Sequence, residues 1–463
     1  MSPRARLAAL VALASAIAPA GRARADGAFP NSQNVMTPAA LPHAILLGTN
    51  FGLVMSADDG QTWTWSCEQP LNAFATLYQV GPAPAHRLYA VSPQGAISSD
   101  DLGCSWSSAT DVPAGAALDV FADPVDPDRV FAVVTESSDG GVLYQVKASS
   151  NGGRSFDASL YTAAAGDHVT GVEAARSAPQ TIYLTLTSGT AYTPEVAQST
   201  DGGAHWAVHD LSASLAPKTY SISLIAVDAS NPQKLFLRTG SAAGEALAVS
   251  ADGGMTASSP LALAAGSLTA FARMDSGSLI AAGIDGTGNV VYRSTDSGAS
   301  FQKLPPAPPV RGLSARGTTL YAATDTTADS AAIETSTDEG TTWKPLMAYT
   351  DVQAIQGCLM SACQDDCLNR ADMDQWPDTV CSATAPAGGE DAGARGGTTG
   401  SGGTTGSGGT TGGGGAIGGG GTTGGGETGG GCHCGTAGGA PSGPALALLG
   451  LALAARRRNR RQS

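Results

Sequence analysis

Between about residue 42 and residue 357 the chain alternates short apolar runs with polar turns, at a spacing too tight for helices and regular enough for a repeated sheet. LYAV at 88–91, VFAVV at 130–134, IYLTL at 182–186, LFLRT at 235–239, LIAAG at 279–283 and LYAAT at 320–324 carry the aliphatic, β-branched and aromatic residues of buried strands. Ahead of five of them lies a second such run, beginning near Leu118, Val169, Ser223, Leu268 and Val310. Turns such as Asp126-Pro127-Asp128, Ala178-Pro179-Gln180 and Asn231-Pro232-Gln233 join members of a pair. The pattern predicts four short antiparallel strands per unit.

Each unit carries the same eight-residue phrase: Ser, any residue, Asp or Asn, any residue, Gly, any residue, a small or polar residue, then usually an aromatic. Its copies place Ser56, Asp58, Gly60 and Trp63 in the first unit, and Ser99, Asp101, Gly103 and Trp106 in the second. The third and fourth hold Ser149, Asn151, Gly153, Phe156 and Ser199, Asp201, Gly203, Trp206. The fifth has Ser250, Asp252 and Gly254 with Ala257 in the aromatic place. The last two have Ser294, Asp296, Gly298, Phe301 and Ser336, Asp338, Gly340, Trp343. Successive serines lie 43, 50, 50, 51, 44 and 42 residues apart, a structural period of about one four-stranded sheet. The phrase has turn chemistry: a carboxylate to accept backbone amides, a glycine for a positive φ, and an aromatic leaving the hairpin toward an apolar seam.

The phrase resembles the Asp-box, or BNR repeat, of sialidases, xyloglucan hydrolases, sortilin-type receptors and photosystem assembly factors. That resemblance implies a seven-bladed all-β propeller, with each box on the turn between third and fourth strands, away from the ligand face, and with no box residue doing chemistry. AILLGT from Ala44, LVMSAD from Leu53 and TWTWSC from Thr62 give the first blade three strands, and nothing before Pro42 reads as a fourth. The run DVQAIQG, 351–357, is left without a blade, so it is expected to insert beside 44–49 and close the ring, removing an exposed sheet edge.

Residues 1–25 have the form of a secretory signal peptide: Arg4 and Arg6, an apolar run from Leu7 to Ala20, then Ala23-Arg24-Ala25. The propeller is assigned to 26–357, a Cys-rich disulfide module to 358–383, a Gly/Thr/Ser linker to 384–431 and a C-terminal sorting or anchor tag to 432–463. The formal charge is −14, and losing the nine arginines of the two ends would lower it to about −23, which argues against binding nucleic acid or anionic lipid. Exported cysteines predict disulfides. Cys67 and Cys104, in adjacent blades, are expected to pair with each other; Cys358, Cys363, Cys367 and Cys381 allow three pairings among themselves, and this placement resembles the cysteine-rich modules behind sortilin propellers. Gly431, Cys432, His433 and Cys434, an apolar stretch over 444–455 and five terminal arginines resemble the myxobacterial C-terminal sorting tag, which implies a short apolar helix and surface attachment at Cys432 or Cys434.

A sialidase would need three arginines on a substrate carboxylate and a Tyr–Glu pair with an acid. The Phe/Tyr-Arg-Ile-Pro signature is absent: PHAILLGTNFGL stands in its place, and of the arginines only Arg273, Arg311 and Arg316 fall near first strands. A xyloglucanase would need facing carboxylates; Glu136, Asp139, Glu195, Glu245 and Asp285 fall on suitable loops, but few aromatics remain to stack sugars. No metal or cofactor motif occurs in a credible context. The expectation is a monomeric, non-catalytic, surface-held or secreted propeller offering its loop face to a protein or glycan, with an extracellular glycoside hydrolase as the alternative.

Overall fold

A computed structural model describes residues 31–39, 41–71, 77–138, 141–326 and 328–383. These residues form seven sheets, each built from four consecutive antiparallel strands in the order first to fourth, the first sheet carrying a fifth strand from the C-terminal segment. The first strands, Ser32–Met36, Leu77–Val80, Ala117–Ala122, His168–Ala175, Ser221–Val227, Ser267–Arg273 and Val310–Arg316, lie innermost, and apolar clusters fill the spaces between neighbouring blades. The chain is a seven-bladed β-propeller.

Every third strand ends on the serine of the repeated phrase, at Ser56, Ser99, Ser149, Ser199, Ser250, Ser294 and Ser336. In all seven turns the serine Oγ accepts the amide of the glycine four residues on, at 2.8–2.9 Å, and donates to the Asp or Asn side chain at 2.7–2.9 Å. That side chain then accepts the amide of the seventh residue at 2.8–3.0 Å. Its second oxygen takes the seventh residue's hydroxyl in five copies and contacts the ring Nδ1 of His205 in a sixth, while Asn151 donates instead to Ser155. These bonds, led by the His205 and Thr342 side chains, hold Asp201 and Asp338 down at about 2.

Two consecutive residues, not one, have positive φ in each turn: the glycine and the residue before it. Asp59, Leu102, Ser297 and Glu339 accept that conformation as non-glycines, and the Gly-Gly pairs of the other three copies meet it without the Cβ penalty. The tryptophans of the phrase fold back, so that Trp63, Trp206 and Trp343 each donate Nε1–H to their own turn's glycine carbonyl at 3.1 Å. Their burial is unequal: Trp63 is 2% exposed, whereas Trp106, Trp206 and Trp343 are half-buried.

The first blade departs from expectation. Ser32–Met36 occupies the innermost place, antiparallel to Ile45–Thr49, where the C-terminal run was expected to insert. The C-terminal strand does join this blade, but as Ala354–Ile355 on the outer edge, parallel to Thr64–Ser66. Ser32–Met36 reads poorly as a strand because Gln33 and Asn34 are polar; its buried positions are Ser32, Val35 and Met36. The ring therefore closes twice, by this strand pairing on the outer edge and by packing of the first blade's inner strand against the seventh blade. Gly312 lies so close to Asn34 that a Cβ there would come within 2.8 Å of the Asn34 Cα, Thr37 bonds to Ser314, and Ser32 bonds to both the Ala332 carbonyl and the Tyr349 hydroxyl.

The cysteine expectations are also corrected. The bridges are Cys67–Cys363, Cys104–Cys358 and Cys367–Cys381, so Cys67 and Cys104 do not pair with each other. The cause is the outer-edge strand: it delivers residues 357–383 onto the rim of the first blade, within reach of both cysteines. There the helix Met360–Ala371 buries Cys363, Cys367 and Ala371. Trp376 packs against Trp65 and Phe51 at ring separations of 4.9 and 6.1 Å, and the Arg370 guanidinium sits 4.6 Å from the Phe51 ring centre. The cores of this segment and the first blade are one cluster. Three disulfides mark an extracytoplasmic protein. Among the described residues no helix is long and apolar enough to cross a membrane; the 1–25, 384–431 and 432–463 segments, with Cys432, Cys434 and the 444–455 stretch, lie outside them.

Candidate functional site

Because strands alternate direction, the hairpins joining second to third strands and the connections between blades leave one face, and the repeated turns leave the other. The Asp-box candidates named from the sequence therefore all sit opposite the loop face, bonded within their own turns. Cys67, Cys104, Cys358, Cys363, Cys367 and Cys381 are structural bridges on the rim.

The loop face is uneven. In the first blade the second and third strands are Ile45–Thr49 and Gly52–Ser56; in the third they are Val130–Ser138 and Gly141–Ser149, and in the fourth Ala178–Ser188 and Thr193–Ser199. Four extra residues per strand make the third blade's hairpin about 13 Å taller than the first's. Between these tall hairpins stands His168, the first residue of the fourth blade's inner strand. Tyr144 of the third blade meets its ring edge-on at 5.0 Å, and Tyr192 of the fourth blade's hairpin stacks on it at 5.8 Å and 28°. Gly189 and Tyr192, both at positive φ, close that hairpin, with the Tyr192 amide on the Gly189 carbonyl. The His168 Nδ1 is buried without a hydrogen-bond partner. Tyr192 is 48% exposed, and Tyr220, at the entry to the fifth blade, 52%.

The ionic groups around this face are engaged locally. Glu195 accepts the Ser188 hydroxyl at 2.7 Å, and Glu136 the Gln145 amide at 3.1 Å. Glu245 takes both forks of Arg238, at 2.8 and 2.6 Å, and the Leu268 amide. Asp285 is held at about 2 by the Thr287 hydroxyl and amide, with Lys303 at 3.1 Å. Arg311 pairs with Asp325 on this face. Arg273 pairs with Asp228 at 3.4 Å, and Arg316 with Asp59 and the Ala44 carbonyl, at the opposite ends of their strands. The three arginines are thus not brought together. Asp139 lies outside the described residues.

A belt of polar bridges runs around the inner strands. Asn34 donates to the Tyr78 carbonyl, Gln79 accepts the Ala122 amide, Asp119 the Val172 amide and Glu173 the Val227 amide. Thr269 to the Val310 carbonyl and the Ser314–Thr37 pair continue it, and between the fifth and sixth blades the bridge comes instead from Glu245 on a third strand to the Leu268 amide. Burial between strands pushes the Asp119 carboxyl up to about 7 and Glu173 to about 8, the latter helped by the nearby Asp119 charge. Sequence reading found neither the belt nor the Tyr144–His168–Tyr192 stack. Its one available signal was the uninterrupted strand-like length around 178–199.

No protein-family model matches the chain, and no curated protein matches it in sequence. Among solved structures it is similar to the GH74 xyloglucanase of Xanthomonas campestris, at 20% identity and a TM-score of 0.47, over 63% of this chain and 47% of that one. It is also similar to YCF48 bound to D1 peptide, at 14% identity and a TM-score of 0.35, over 51% and 69%. A third is the Pyrococcus horikoshii acylaminoacyl peptidase, at 10% identity and 0.47, over 70% and 53%. The chain spans about half the length of the xyloglucanase.

Proposed function

We propose that this protein is an exported, non-catalytic Asp-box propeller whose loop face, over the third to fifth blades, binds a glycan or protein partner. The observation that carries the reading is the aromatic stack around His168, raised between two tall hairpins and bordered by carboxylates already committed to hydrogen bonds. A general acid and a nucleophile need carboxyls free to face a substrate. Here Glu195, Glu245 and Asp285 serve their own hairpins, which favours binding over hydrolysis. Incubating the mature protein with β-glucans and sialosides is expected to give no turnover, while a glycan and peptide array gives saturable binding. Hydrolysis of either substrate class would overturn the reading in favour of an extracellular glycoside hydrolase.

The tail is proposed to hold the propeller at the cell surface through Cys432 or Cys434. Deleting 432–463 should move the protein into the medium, and retention on cells would refute this attachment.

A further inference from the structure

The seam between the third and fourth blades carries charge of one sign at the loop face. Glu195, on the fourth blade's third strand, stands in register with Asp210, the last residue of its fourth strand. Directly opposed residues of an antiparallel pair hold their Cβ atoms about 5 Å apart on one side of the sheet, and like charges so placed repel. That side faces the third blade, because Leu186, the partner of Glu195 on the second strand, packs in the cluster between the two blades. Asp167, in the connection between the blades, adds a third carboxylate and takes the Gly189 amide at 3.0 Å. Burial, with the charges of Asp167 and Glu195, pushes the Tyr161 hydroxyl up. The donors to these carboxylates, the Ser188 hydroxyl and the Gly189 and Ser212 amides, are neutral. Among the described residues no lysine, arginine or histidine forms an ion pair with any of the three. Nor does any group there gather closely enough to hold a metal ion.

Beside this charge the surface is apolar. Tyr192 covers His168 with one face of its ring and, at 48% exposed, offers the other. Val142, two residues from Tyr144 and so on the same side of the third blade's hairpin, is also exposed. An aromatic face next to uncompensated carboxylates attracts an ammonium or guanidinium group. We propose that Tyr192, Asp167, Glu195 and Asp210 dock a basic segment of a protein partner. A lysine or arginine of that segment lies over the open face of Tyr192 and pairs with the carboxylates, and a neighbouring apolar side chain rests on Val142. The carboxylates are strung along the seam instead of converging on a point, which suits an extended chain better than a single small cation. The repulsion between Glu195 and Asp210 in the free protein is relieved when the cation arrives. This inference rests on the binding reading above and selects a protein over a glycan.

The test measures affinity of the full mature protein for three soluble peptides, repeats of Lys-Tyr, Glu-Tyr and Ser-Tyr, and for a neutral β-glucan. Saturable binding of the Lys-Tyr peptide, weaker at high salt, is the expected result. Glu195→Gln with Asp210→Asn keeps both hydrogen-bond acceptors and should weaken it about fivefold, and Tyr192→Leu about threefold. Thermal melts of the double variant should match or exceed the parent, because a like-charge pair is removed, and so separate lost binding from lost fold. Asp157→Asn with Asp275→Asn makes the same change of net charge at exposed positions on the box-turn face and should leave affinity unchanged. Lys218, exposed at the entry to the fifth blade, is a cation on the loop face, and Lys218→Ala should leave the affinity equal or higher. Equal losses in the two double variants, preference for the Glu-Tyr or Ser-Tyr peptide, or silence toward Lys-Tyr overturns the inference. Binding of the β-glucan without the Lys-Tyr peptide does so too, and leaves the non-catalytic reading standing. Turnover of the β-glucan would remove that reading instead, and is scored separately by reducing-end release.

Discussion

Removing the Cys104–Cys358 bridge is the sharpest test of how the C-terminal segment is joined to the propeller. Cys358 is exposed and Cys104 half-buried, so Cys104→Ser with Cys358→Ser removes a cross-link with little loss of packing. Alone, this bridge spans 254 residues, which in the chain-entropy expression corresponds to about 5.5 kcal/mol. It does not act alone. With Cys67–Cys363 intact, the extra loop it closes runs only from Cys67 to Cys104 and from Cys358 to Cys363, about 42 residues, for which the same expression gives about 4 kcal/mol. By the same geometry, losing only Cys67–Cys363 leaves that loop as the difference. Losing both removes about 9.5 kcal/mol, more than twice a single loss, so the two bridges should be non-additive by about 1.5 kcal/mol. Urea unfolding of the oxidised parent, the two single-bridge variants and the double-bridge variant measures all four corners of this cycle. Full reduction should bring the four curves together. A single-bridge loss below about 1 kcal/mol, or a non-reducing digest yielding a Cys67–Cys104 peptide, would refute the reasoning.

Trp63→Ala should cost about 3–5 kcal/mol in thermal or urea unfolding, because that ring is fully buried, while half-buried Trp343→Ala should cost clearly less; equal losses would contradict the packing described. Glu173 titrates at about 8 when folded, above an unfolded value near 4.3, so its favourable contribution is complete below about pH 4 and is lost as pH rises through 8. Glu173→Gln keeps an acceptor for the Val227 amide and should leave stability near pH 5 almost unchanged while raising it by about 1–3 kcal/mol at pH 8.5. Parallel pH profiles for parent and variant would show that the carboxyl is not enclosed.

The seven-fold repeat was legible because a turn with two positive-φ residues and a Ser–Asp–Gly hydrogen-bond set tolerates few sequences, and the chain restates them every 42 to 51 residues. The second positive-φ place was masked by Asp59, Leu102, Ser297 and Glu339, residues that carry no glycine-like signature. Ser32–Met36 escaped because Gln33 and Asn34, which interrupt its apolar pattern, are polar residues on the innermost strand of the ring. The disulfide pairing depends on where a two-residue parallel strand sets down the C-terminal segment, a tertiary event separated by more than 250 residues from Cys67 and Cys104. The aromatic stack joins residues 144, 168 and 192, each of which reads locally as an ordinary strand or turn residue. Turn chemistry is local and survives in sequence; juxtaposition across blades does not.

The rim-mounted C-terminal segment also decides where tension would go. A pull on the chain at residue 383 reaches Cys381 first, crosses to Cys367, and passes through the helix to Cys363 and the first blade, with Cys358 sharing the load into the second. The seventh blade's outer strand, Lys344–Met347, lies upstream of those joints and bears none of it while the bridges hold. Shear at the C-terminal end is thereby converted into a load on covalent bonds anchored in the first and second blades, not into peeling of the last blade.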